Sequence, residues 1–105
     1  MKERQIREEL IKCRELLSDI FQAGLMVHSD SLMGQLKSEE TVMSQYGMEW
    51  LAKQLGLLYQ QLEGRRHTLG ETDDEESVRL LCTIYKYLET GIRQADMDEA
   101  RERFG

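Results

Sequence analysis

Three observations predict an all-α fold, an antiparallel four-helix bundle. Apolar residues recur at steps of three and four through four successive segments, short polar or glycine-bearing stretches separate those segments, and the chain contains no proline. Two stacked helical hairpins, as in helical repeats, are the alternative arrangement of the same segments. At 105 residues the chain has the size of one domain, residues 1–105, able to bury about two-thirds of its unfolded surface.

The first helix is expected from Glu3 to about Leu25. Ile6, Leu10, Cys13, Leu17, Ile20, Phe21 and Gly24 fall on one arc at about 100° per residue. Val27-His28-Ser29-Asp30 then forms a turn in which the oxygen of Ser29 or Asp30 can satisfy the free amides of a second helix. That helix is expected to run to Tyr46 with Leu32, Leu36, Met43 and Tyr46 inward. Glu39 interrupts its arc and Val42 lies at the edge. Gly47 suits a left-handed residue between antiparallel neighbours, although a helix continuing through it would cost only about 1 kcal/mol.

The third helix, Met48 to about His67, carries Met48, Leu51, Leu55, Leu58 and Leu62 on one face, with Gly64 and Gly70 bracketing its end. Thr72-Asp73-Asp74-Glu75 has the form of a capping box, and its acidic residues sit at the positive end of the following helix dipole. Val78, Leu81, Cys82, Tyr85, Leu88, Ile92 and Ala95 form the expected core face of the fourth helix. Residues 96–105 are charged; they can extend that helix and are expected to fray.

Composition narrows the function. The hydrophobic fraction of 40% and charged fraction of 32% suit a globular protein rather than a disordered one. A net charge of −6 opposes binding to nucleic acid, whose phosphates are held by clustered Lys and Arg. The one basic cluster, Arg65-Arg66-His67, is followed by the carboxylates of Glu71 to Glu76 and reads as a solvated, charge-mixed turn. No apolar run has membrane-spanning length, and the amino terminus leads into an amphipathic helix, unlike a signal peptide. No membrane association and a cytoplasmic location are expected. Cys13 and Cys82 both fall on the predicted core faces, which suits two buried free thiols in a reducing compartment.

Catalytic and metal chemistry find little footing. His28 and His67 are far apart, neither cysteine has a second ligand at short spacing, and no metal or cofactor is expected. Glu63 and His67, four residues apart, read as a surface ion pair, because a di-iron bundle needs Glu-x-x-His on two helices plus two further glutamates. Cys13 lies among Ile6, Leu10 and Leu17, whereas a reactive thiolate needs an electropositive, partly open setting. The isolated glycines make no phosphate loop. No enzymatic activity is expected.

What remains is a second apolar stripe. Trp50 and Leu57 point about 110° away from the core face of the third helix, and Leu80, Ile84 and Tyr87, with Gly91 in register, run beside the core arc of the fourth. Such wide faces arise when a helix sits centrally in a bundle. They also arise when Trp50, Leu57, Leu80, Ile84 and Tyr87 form a contact surface for another protein, and between identical chains such a surface gives a two-fold dimer. Met26, Met33, Met43 and Met48 either fill core gaps or line an adaptable groove. The groove reading gives a regulatory bundle that binds a small apolar ligand among Met33, Met43, Trp50 and Tyr85.

The run from Cys13 to Leu25, followed by Tyr46-Gly-Met-Glu-Trp-Leu-Ala-Lys-Gln-Leu55, resembles helical segments that accompany SWIM-type zinc fingers in some bacterial proteins. It spans residues 13–62. The resemblance implies a bacterial cytoplasmic accessory or scaffold module and carries over no catalytic residue. The zinc finger itself, a cysteine pair followed by a cysteine and a histidine, is absent from this chain.

Overall fold

The computed structural model describes residues 2–23, 30–66 and 75–104. They form four α-helices: α1 (Lys2–Gln22), α2 (Asp30–Gln45), α3 (Glu49–Arg66) and α4 (Glu75–Phe104). The fold is the all-α bundle that the periodicity predicts. Helix α4 continues through Phe104, so the charged segment expected to fray is its last two turns.

Around the bundle α1 touches α2, α2 touches α3, α3 touches α4 and α4 touches α1; the diagonal pairs do not meet. The most extensive pairings are α2 with α3 and α1 with α4, and the smallest is α1 with α2. The dominant pairs are therefore not the two sequential hairpins of the alternative arrangement.

Cross-links fix the directions. Arg7 pairs with Asp96 and Arg14 Nη1 lies 3.6 Å from Glu89 Oε1, so seven residues up α1 correspond to seven down α4. Trp50 stacks on Tyr87, and Ser77 Oγ donates to Gln61 Oε1 at 2.8 Å, so α3 and α4 are also antiparallel. Across α2 and α3, Lys37 Nζ sits 5.4 Å from the Tyr59 ring centre, and Glu40 packs against Gly56. The exposed ion pairs orient helices but contribute little stability, typically about 0–1 kcal/mol each.

The tight turn between α2 and α3 is built from two crossed hydrogen bonds. Met48 N donates to Met43 O at 2.9 Å and Gly47 N donates to Ser44 O at 3.0 Å. This is the Schellman arrangement, and it needs a left-handed residue at the position that Gly47 fills with φ +80°. Met48 then packs on the core and its carbonyl accepts the Ala52 amide, opening α3. The turn before α2 at His28 and Ser29, the Thr72 cap and His67 lie outside the described residues.

Among the described residues seventeen apolar side chains close the core, including Leu17, Ile20, Leu36, Met43, Leu55, Leu58, Ile84 and Leu88. Several faces are rotated from expectation. On α4 the buried line is Ser77, Leu81, Ile84, Leu88 and Ile92. Its centre lies between the two predicted stripes, because α1 and α3 cover α4 from two sides. Ile84, expected on the contact surface, is therefore fully buried, and Cys82, expected in the core, is exposed about 120° from the arc centre. Val78, Tyr85 and Ala95 are half-buried. On α1 Leu16 is buried, whereas Phe21 is 57% exposed at the far edge of the α1–α4 pair. On α2 Met33 replaces Leu32 as the buried residue, Tyr46 is half-buried beside the turn, and Glu39 is buried within the apolar arc it interrupts.

Candidate interaction surface

Two of the five predicted contact residues meet directly. The Trp50 and Tyr87 ring centroids are 4.8 Å apart with a 43° tilt, a geometry that suits the opposed edge and face charges of aromatic rings. Trp50 enters from the first turn of α3 and Tyr87 from the middle of α4. Both remain open to solvent, at 46% and 41%.

From that pair, seven residues along α3 reach Leu57 and seven back along the antiparallel α4 reach Leu80. The two leucines thus stand at one level, about 10 Å from the aromatic pair. Leu57 is exposed, and Leu80 is half-buried against the core. One turn further, the Ser77–Gln61 hydrogen bond closes the seam. The outer α3–α4 seam accordingly presents two apolar rungs, Trp50–Tyr87 and Leu57–Leu80, and Ile84 supports them from inside.

The residues expected to line a ligand site are dispersed. Met33 and Met43 are enclosed in the core, Trp50 lies on the outer seam, and Tyr85 lies on the opposite flank of α4. Around Tyr85 a groove of about 310 Å³ forms between α1 and α4, walled by Leu17, Phe21 and Leu81, with Ser18, Cys82 and Lys86 at its polar edge. The sequence hid this groove because Phe21 and Cys82 fall at helical spacing with true core residues. Only the pairing of α1 with α4 decides which of them is covered.

A second feature was visible only as an irregularity. Glu39 of α2 is 3% exposed and faces Glu9, Lys12 and Cys13 of α1. The Lys12 ammonium is 3.9 Å from Glu39 Oε1, and Glu39 Oε2 and Glu9 Oε2 are both buried without a hydrogen-bond partner. Burial, helped by the negative charge of Glu9, pushes the Glu39 carboxyl up to about 7, against a partial opposing pull from Lys12. Burial, with Glu39 and Glu9 adding to it, pushes the Cys13 thiol up to about 12, so Cys13 is a protonated core group and a poor nucleophile.

Among the described residues no cluster of three or more His, Cys, Asp or Glu is placed to hold a metal ion. No described helix is long and apolar enough to cross a membrane. No family model, curated protein or solved structure matches the chain.

Proposed function

We propose that the chain is a non-enzymatic protein-interaction or scaffold module that self-associates through the outer α3–α4 seam. The observation that carries this reading is the Trp50–Tyr87 pair, which stays 46% and 41% exposed after the helices have closed their core. Tryptophan and tyrosine offer large, stiff contact areas at low entropic cost, and contacts that bury them dominate binding energy. A second copy fits the layout of the seam. A two-fold axis lying in the contact plane and perpendicular to the seam, midway between the rungs, sets the aromatic pair of one chain over Leu57 and Leu80 of the other. The likeness of residues 13–62 to helical segments accompanying SWIM-type zinc fingers supports the same reading, an accessory module of a bacterial cytoplasm.

Gel filtration with light scattering on the reduced chain, over a concentration series from micromolar to millimolar, tests it. The expected result is a mass rising to that of a dimer, with association lost and helicity kept in the Trp50→Glu, Tyr87→Glu double variant. A monomer throughout rejects self-association. Unchanged association in the variant rejects the surface, and lost helicity assigns the pair to the fold.

The α1–α4 groove favours a second reading, a regulatory bundle holding a small apolar ligand against Leu17, Phe21, Leu81 and Tyr85. A medium-chain aliphatic probe should then raise the melting temperature in proportion to its occupancy, and Phe21→Ala should remove the rise. No rise at a saturating probe concentration rejects it.

A further inference from the structure

Resting on the reading of the α1–α4 groove as a ligand site, we infer that its ligand is an amphipathic anion, a single alkyl chain ending in a carboxylate, and that Lys86 holds the carboxylate. The groove has two unlike ends. Arg7 with Asp96 and Arg14 with Glu89 set one register between the antiparallel helices. Three residues up α1 and three down α4 from the Arg14–Glu89 contact stand Leu17 and Lys86, with the Ser18 hydroxyl beside them. Four residues further stand Phe21 and Cys82, next to Leu81. Lys86 and Leu81 are therefore about 7.5 Å apart along α4, with the charge at one end of the groove and the most exposed ring, Phe21, at the other.

The lining decides the sign of the ligand's head. Lys86 is the one charged residue that lines the groove. Glu89, one turn along α4 and able to pair with it, is taken by Arg14 at 3.6 Å. Among the described residues no carboxylate lies within ion-pair distance of Lys86, and no hydrogen bond engages the Ser18 hydroxyl. An ammonium can only donate, so the group that completes this end is an acceptor, and a carboxylate makes the stronger, charge-assisted bond. Leu17, Phe21 and Leu81 have no polar atom to offer a charged head, and they take the chain. The groove between α2 and α3 differs in this respect: Lys37 and Lys53 are balanced there by Glu40 and Glu49, and no sign of charge is selected. A volume of about 310 Å³ lies at the small end of ligand sites and suits one chain of medium length.

Cys82 reads the occupancy. It is exposed on the rim of this groove, one turn from Lys86, whereas Cys13 is buried, so a neutral aromatic disulfide in the folded chain labels Cys82. The labelling rate is followed against the concentration of octanoate and of octan-1-ol, which share a chain length and differ in the charge of the head. Both should slow the reaction, and octanoate should reach half-protection at a concentration at least three- to fivefold lower, roughly the value of one partly exposed ion pair. Lys86→Gln should abolish that advantage, and Lys86→Arg should keep it. Lys86 is exposed, so both variants should keep the helicity of the unaltered chain. Equal potency of the two probes, or an advantage of octanoate that survives in Lys86→Gln, overturns the anion assignment and leaves the groove to neutral apolar ligands. Protection by neither probe overturns the assignment and the groove reading together.

Discussion

Along α3–α4 the helices leave Trp50, Leu57 and Tyr87 at least 40% exposed, whereas along α1–α2 a carboxyl side chain, Glu39, is 3% exposed. The two seams invert the usual partition of apolar and charged groups. Each helix has one arc turned fully to the centre, and residues about 60–120° from it fall into a seam. What such residues experience depends on the neighbouring helix. On α3–α4 the partner offers another large ring and a leucine, and the pair stands outward. On α1–α2 the partner offers the half-buried Glu9 and the largely exposed Lys12, and Glu39 is closed in.

The sharpest test of this contrast uses adjacent leucines on α3. Leu58 is fully buried and Leu57 is 40% exposed. Leu58→Ala should cost about 2–5 kcal/mol in urea unfolding of the chain, and Leu57→Ala less than about 1 kcal/mol. Comparable losses would mean that the outer seam is core and the contrast false.

The next largest effect is the pH dependence of global stability. Glu39 titrates near 7 folded and near 4.5 in its ordinary environment. Below 4.5 both states carry the proton and its full contribution is present. Between the two values only the folded state holds it, so stability falls as pH rises, and above 7 the contribution is gone. The loss relative to Glu39→Gln should reach about 1–3 kcal/mol, with a slope no steeper than about 1.4 kcal/mol per pH unit. Chemical denaturation of both proteins at pH 4.5, 6 and 7.5 measures it. A constant difference would place Glu39 in water.

A smaller effect separates the polar end of the α3–α4 seam from its apolar end. Ser77→Ala removes the donor to Gln61 and should cost about 1 kcal/mol by thermal unfolding, since Ser77 is buried and the bond is 2.8 Å. No change would mean that the rung is formed in solvent and adds nothing to the seam.

Much of the bundle was legible in the sequence. Leu10, Leu17, Ile20, Leu36, Met43, Leu51, Leu55, Leu58, Leu62, Leu81, Leu88 and Ile92 are inward at the spacing that places them there, and Gly47 adopts the left-handed conformation its position demands. The candidate surface was half legible. Trp50, Leu57 and Tyr87 stand out of the core, whereas Ile84 is enclosed, and of Met33, Met43, Trp50 and Tyr85 only Tyr85 lines the α1–α4 groove. Glu39 appeared only as a break in a stripe.

The sequence by itself determined the number of helices, the turn at Gly47 and the innermost apolar residues of each helix. Those properties follow from local geometry: the 3.6-residue period, the steric freedom of glycine and the burial of the strongest apolar line. Tertiary structure alone decided the fate of the flanking residues. Phe21, Cys82, Ile84 and Glu39 each sit where two neighbouring helices compete to cover them, and periodicity along one helix holds no information about which neighbour stands on which side.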